Sequence, residues 1–337
     1  MTPVATPVAL RASTWDAALE ETLSGGSDAR SSSDATPSSD ATPSSEAAVH
    51  SVHDRVVNVR RGAALIALAH ERLDDAPWTI RIGDQDWSAV ATARVGDAVS
   101  LGPGALVLRP DRQEVRVGLA PTDARVLRPC TDIPSEDSLR LAVAVLDGVP
   151  SPAAATPFGA IAAEALAAGI QRLRAGARSL VAADAPDAAD VVAAAAQRLL
   201  GLGEGLTPSG DDVLAGLAFA SAHPGLGLTA LLAPLGVAAA SADRRTTLLS
   251  AVTLRAALRG RARRRMHDLL DALIAGEEAA VRIAVGRTAE IGHTSGFDIL
   301  TGIRIALELA LGTRTRGDGT ARSTTLKQLS PKKETTR

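Results

Sequence analysis

Gly201-Leu202-Gly203-Glu204-Gly205-Leu206-Thr207-Pro208-Ser209-Gly210-Asp211-Asp212 runs directly into Val213-Leu214-Ala215-Gly216. Four glycines within twelve residues let the backbone take positive φ and let its amides approach a ligand. Ser209 is placed to cap the helix that follows, with Asp212 three residues on in a capping-box relation. The stretch predicts a glycine loop entering a helix N-terminus with free N–H groups, a geometry that suits an anion. Gly205 and Gly210 have the spacing of the two P-loop glycines, but Asp211 and Asp212 stand where that motif carries Lys and Ser/Thr. Two carboxylates repel phosphate unless a cation or substrate donors intervene, so nucleotide binding of that kind is not expected. An amide-bearing substrate or a Mg2+ ion fits the acids better. The plain alternative is a well-capped helix whose acids complement its dipole.

Around this stretch the chain reads as helix after helix. Periodicity and punctuation predict helices over 136–147, 158–174, 187–200, 210–222, 227–240, 243–258, 262–274, 277–290 and 296–311. A second loop, Ile291-Gly292-His293-Thr294-Ser295-Gly296-Phe297-Asp298, repeats the logic of the first. The two share Ser-Gly-x-Asp-[Val/Ile]-Leu-x-Gly-[Leu/Ile]-x-x-Ala, which pairs Ser209 with Ser295, Asp212 with Asp298, Gly216 with Gly302 and Ala220 with Ala306. Each glycine lies one turn beyond its Asp, where a missing side chain permits close helix contact. The expectation is two packed helices whose N-termini converge on one small anion. Gly203, Gly205, Thr207, Ser209 and Gly210 would contact it from the first loop, Thr294 and Gly296 from the second.

His293 alone of the six histidines sits in a Gly/Thr/Ser loop before a helix, and is the candidate proton carrier. Asp212 and Ser295 complete the candidate catalytic set. Asp211, Asp212 and Asp298 are the candidate metal ligands. A third segment, Asp243-Arg244-Arg245-Thr246-Thr247-Leu248-Leu249-Ser250, places Arg245 to clamp a carboxylate or phosphate, with Thr246 and Ser250 near it. A solvated charged helix start is the competing reading there.

The rest of the chain sets bounds. Its 337 residues predict about two domains. Ser-Ser-Asp-Ala-Thr-Pro occurs at 32–37 and again at 38–43, so residues 1–47 are expected to be a disordered region. Residues 48–134 read as a small β-rich domain, with strands in Val56–Val59, Trp78–Ile82, Ala105–Leu108 and Glu114–Val117 and a helical period over Gly62–Leu73. Residues 135–312 form the helical domain, and 313–337 a polar tail expected to fray. The fold class is α+β, with a small β-rich N-terminal domain before a mostly α-helical C-terminal one. Aromatics are 2%, with no Tyr, and the net charge is −2, so base-stacking nucleic-acid binding is not expected. The Arg259–Arg265 run lacks interleaved aromatics and reads as a solvated face or subunit contact. The sole cysteine, Cys130, can form neither an internal disulfide nor a Cys-based zinc site. The N-terminus shows no signal-peptide pattern, and the apolar stretch Asp212–Asp243 is broken by His223-Pro224-Gly225 and Pro234-Leu235-Gly236 into pieces too short for a bilayer core of ~30 Å. A cytoplasmic protein without membrane, nucleotide, haem or zinc is expected.

GLGEGLTPSGDDVLAG at 201–216, RRTTLLSA at 244–251 and IGHTSGFDILTGI at 291–303 resemble the AllH-type third subunit of oxamate carbamoyltransferase. The resemblance covers roughly residues 48–312; the 24–47 repeat departs from it. It implies the small N-terminal β-rich part. It also implies the conversion of oxalurate and phosphate to oxamate and carbamoyl phosphate in allantoin use. Two partner subunits, one FdrA-like, and a Mg2+ ion are implied as well. The Ser-Thr-Arg-Thr phosphate motif of other carbamoyltransferases is absent. Two other readings stay open: a non-catalytic structural or ligand-binding subunit, and an enzyme for another small carboxylate or acyl phosphate. Motifs lining one site favour chemistry, whereas scattered motifs favour a building block.

Overall fold

The computed structural model describes residues 7–23, 47–110, 113–127, 130–150, 152 and 156–328. The Ser/Pro/Asp repeat and the last residues of the expected tail lie outside the described residues. The chain divides into two compact units, one taking it up to Arg128 together with Ala262–Arg264, the other taking Pro129–Arg261 and Arg265 onward.

The first unit is a barrel. Its strands are β1 (Val8–Asp16), β2 (Ala47–His53), β3 (Val56–Arg61), β4 (Ala64–His70), β5 (Thr79–Ile82), β6 (Ala98–Gly102), β7 (Ala105–Leu108), β8 (Val115–Gly118) and β9 (Ala124–Arg125). Two short helices, α1 (Leu19–Leu23) and α2 (Asp84–Val90), accompany them. The strand order β5-β4-β3-β2-β6-β7-β8-β1 closes on itself because β1 also pairs with β5. Closure leaves these strands no free edge. Inward-facing Val57, Val59, Ile66, Leu68, Ile80, Ile82, Leu106, Leu108, Val115 and Val117 are fully buried and fill the interior.

Two expectations are corrected here. Residues 8–23 are not part of an unstructured region. Val8–Asp16 is the strand that closes the barrel, parallel to β8 (Leu10 opposite Val117) and antiparallel to β5 (Trp15 opposite Ile80). The helical period over 62–73 is instead β4, zipped to β3 from Val56–Ala69 to Arg61–Ala64. Its Ala/Leu-rich run imitates a helix because the strand is apolar on both faces. Trp87 of α2 lies edge-on against His70 at its end, and such double burial removes the alternation that marks a strand.

The second unit is helical: α3 (Glu136–Asp147), α4 (Pro157–Ala182), α5 (Ala188–Leu199), α6 (Ser209–Ser221), α7 (Leu232–Ala240), α8 (Ala242–Arg245), α9 (Leu248–Ala257), α10 (Arg264–Ala275), α11 (Glu278–Ala289) and α12 (Ser295–Gln328). The helix expected over 243–258 is broken at Thr246, whose extended backbone ends α8; Thr247 then caps α9 by accepting the Ser250 amide at 3.2 Å. The helix expected to end at 311 continues to Gln328. In α6 every residue from Gly210 to Ser221 is buried, so it is the central helix and its all-round apolar sequence is core. Among the described residues no helix is long and apolar enough to cross a membrane. Two arginines of the Arg259–Arg265 run are held in ion pairs, Arg263 with Asp74 at 3.3 Å and Arg265 with Glu290 at 3.1 Å.

Candidate functional site

Helices α6 and α12 make the most intimate pair in the second unit, and glycine is the reason. A Cβ on Gly216 would lie 2.2 Å from the Ile299 carbonyl oxygen, and one on Gly302 would lie 2.1 Å from that of Val213. Val213 and Ile299 are themselves equivalent in the repeated signature. The contact is thus reciprocal, as between two halves related by a local two-fold axis. The first turns obey the same rule: Ser295 of α12 acts on Asp212 of α6, and Ser209 of α6 acts on Asp298 of α12. Contacts recur in the same order one turn deeper, so the helices run in the same direction and their N-termini converge. The hydroxyls of Thr207 and Ser295, 88 residues apart in sequence, are 2.9 Å apart.

The local folding of both loops is also duplicated. Gly210 donates its amide to the Leu202 carbonyl at 2.8 Å, and Gly296 donates to Ile291 at 2.9 Å. A Cβ on either glycine would strike the end of the preceding helix, at Leu199 O (2.0 Å) and Thr288 O (2.2 Å) respectively. The expected amide cradle at Gly210 and Gly296 is therefore corrected: those N–H groups close the loops and the glycines serve packing. The amides of Asp211 and Asp212 are likewise taken, both by Pro208 O, and those of Phe297 and Asp298 by Thr294 O. Amides without a backbone partner among the described residues lie one step upstream, from Gly203 to Thr207. Gly203 and Gly205 take φ of +123° and +95° there, backbone conformations that glycine alone adopts readily. Thr156 ties this loop to the start of α4 by donating to Glu204 at 2.7 Å.

The three acids differ sharply. Asp211 is a staple: Gly201 donates its amide to Oδ1 at 2.8 Å, and Thr246 donates its hydroxyl to Oδ2. It joins the glycine loop to the turn between α8 and α9. Burial raises its pKa, against the opposing effects of Thr246, Gly201 and the nearby Ser250 hydroxyl. Asp212 is 5% exposed, and its Oδ2 is buried without a hydrogen-bond partner among the described residues. Burial pushes its carboxyl up to about 7; Ser295 and Thr207 pull it back, while Asp298 and then Asp211 add to the rise. Asp298 also has a buried, unpartnered Oδ2, and burial pushes its carboxyl up to about 6 against Ser209 and Thr294. Two helix N-termini side by side concentrate positive partial charge, which two first-turn carboxylates offset. That accounts for acids here but not for two oxygens left without donors.

The remaining candidates stand at the rim. Thr207, Ser209, Thr294, Ser295 and Asp298 are half-buried, while His293 and Arg245 are exposed. The main chain of Arg245 packs on Gly201, at the start of the glycine loop. Thr246 is spent on Asp211, and Ser250 is buried near it rather than facing outward. Among the described residues no group of three or more His, Cys, Asp or Glu side chains is placed to hold a metal ion. Sequence reasoning missed the Thr207–Ser295 contact and the Thr156–Glu204 tie; nothing in the spacing of either pair marks them.

Residues 199–307 match a family model described as oxamate carbamoyltransferase subunit AllH, and residues 22–124 match the AllH family N-terminal domain. The first match encloses both loops, the α8–α9 turn and the α6–α12 contact. No solved structure matches the chain.

Proposed function

The chain belongs to the AllH family, named for a subunit of oxamate carbamoyltransferase, and from that premise we propose that it supplies part of the active site for phosphate-dependent cleavage of oxalurate. The observation that supports this reading is the convergence of two equivalent loops on a carboxylate pair whose free oxygens have no donor among the described residues. A family named for a subunit implies companion subunits; we assign an FdrA-like chain and one further chain to that role, in a cytoplasmic complex serving allantoin nitrogen use.

In the proposed reaction a phosphate oxygen attacks the carbamoyl carbon of oxalurate, the C–N bond to the oxamate nitrogen breaks, and that nitrogen takes a proton. Carbamoyl phosphate and oxamate leave. The open amides of Gly203–Thr207 receive phosphate. Arg245 holds the oxalurate carboxylate. His293 delivers the proton to the leaving nitrogen. Asp212, with Ser295 and Thr207 beside it, orients the carbamoyl group. Asp212 and Asp298 offer one free oxygen each and Asp211 has both of its oxygens engaged, so the residues present do not fit a Mg2+ ion and no step is assigned to one.

The test is co-purification of the complex from its native host, followed by assay of carbamoyl phosphate formed from oxalurate and phosphate. Phosphate-dependent product with the wild type, and a loss of about 100-fold or more with His293→Ala, supports the reading. A complex that assembles but leaves oxalurate untouched refutes it.

A further inference from the structure

Asp212 and Asp298 occupy equivalent positions on α6 and α12, each one turn before the glycine that lets the helices meet. Each has one oxygen buried and unpartnered, and each is flanked by the serine hydroxyl of the other half. We propose that the two carboxylates act as a single dyad that receives the terminal –NH2 of the carbamoyl group, one N–H to each free oxygen. This rests on the reading of the chain as a carbamoyltransferase subunit and names what selects its substrate.

Buried acceptors without donors are costly and rare, so two of them on neighbouring first turns, with Asp298 near enough to act on Asp212, call for a ligand that brings donors. A primary amide or ureido nitrogen carries two N–H groups in one plane and suits two acceptors related by a two-fold axis. A phosphate or carboxylate brings only acceptors and negative charge and would be expelled from this position. The rival occupant is a divalent cation. Such ions take about six oxygen ligands, and the third acid of the region, Asp211, already accepts from Gly201 and Thr246. Asp212 is 5% exposed and lies beneath a half-buried rim, so a group seated there is shielded from water and its N–H bonds count fully.

The test is calorimetric binding of oxalurate, its analogue dimethylated on the terminal carbamoyl nitrogen, and MgCl2, in phosphate-free buffer, to the full chain within its purified complex, for the wild type, Asp212→Asn and Asp298→Asn. The expected result is that oxalurate binds at least about tenfold more tightly than its dimethyl analogue, and that either substitution erases this preference. Both substitutions are isosteric, and unchanged or raised melting temperatures show that the variants fold. Equal binding of oxalurate and its dimethyl analogue overturns the dyad. Magnesium binding that either substitution abolishes also overturns it, in favour of a cation site. Failure of the carbamoyltransferase reading looks different: no turnover of oxalurate, whatever the amide preference.

Discussion

Replacing Gly216 or Gly302 with alanine tests the helix contact on which the site is built. At Gly216 the added Cβ would sit 2.2 Å from Ile299 O; at Gly302 it would sit 2.1 Å from Val213 O and 2.6 Å from Leu217 N. Ordinary carbon contacts are about 3.5 Å, so α6 and α12 must separate by about 1 Å, and the obstacle is backbone rather than a yielding side chain. Overpacking of this kind costs about 3 kcal/mol or more. Alanine returns up to about 1 kcal/mol through helix propensity. The net expectation is a loss of about 2 kcal/mol for each variant, or roughly 4–8 °C in Tm for a unit of this size. The double variant should cost less than the sum, because one separation serves both methyl groups. Gly236→Ala in α7 and Gly286→Ala in α11 are the controls: a Cβ there meets nothing within 4 Å, and both should be neutral or stabilising. Thermal and urea unfolding followed by circular dichroism measure all five. If Gly216→Ala and Gly302→Ala behave like the controls, the helices do not meet at these glycines and the reasoning fails.

Three further outcomes follow from the same geometry. The folded-state pKa of Asp212 is raised from 3.8 to about 7, so the native state keeps a proton that the unfolded chain has lost, and this contribution to stability declines as pH rises from about 4 to 7. At about 1.4 kcal/mol per unit the ceiling is of order 4 kcal/mol; Asp212→Asn should therefore exceed wild-type stability at pH 8 and converge on it near pH 4, and a pH-independent difference would contradict the shift. Asp211→Ala strands the Gly201 amide and the Thr246 hydroxyl and should cost about 2 kcal/mol in urea unfolding; a loss below about 0.5 kcal/mol would show that the staple is dispensable. Burial, with Asp271 beside it, pushes the Cys130 thiol up to about 12, so alkylation by iodoacetamide at pH 8 should be far slower than for a free cysteine; rapid labelling would contradict that environment.

How much could be read from the amino acids differs from element to element. The repeated Ser-Gly-x-Asp pattern marked the α6–α12 pair because its information is local: a cap residue, an acid three positions on, and a glycine one turn further. Each has a steric or electrostatic meaning that does not depend on the rest of the chain. The amides of Gly210 and Gly296 could not be read this way. Whether an N–H is free depends on where Leu202 and Ile291 bring their carbonyls, and that is set by the path of the loop. Strand β1 was hidden for a different reason. Its partners β8 and β5 lie roughly 100 and 65 residues downstream, and the low-complexity repeat behind it imitates an unstructured start. β4 misled because burial on both sides erased its alternation. Asp211 and Asp212 are neighbours of one residue type, yet one is saturated by Gly201 and Thr246 and the other is left open. Only the turn at Thr246, 35 residues away, decides which.

The most direct test of the convergence of the two loops is a cross-link between them. Thr207→Cys with Ser295→Cys, in a Cys130→Ser background, replaces two hydroxyls 2.9 Å apart with thiols at bonding distance. Rapid and complete disulfide formation under mild oxidation, reversed by reduction, is the predicted result. Thiols that stay free in the folded protein would show that residues 207 and 295 do not share a site, and the account would fail at its foundation.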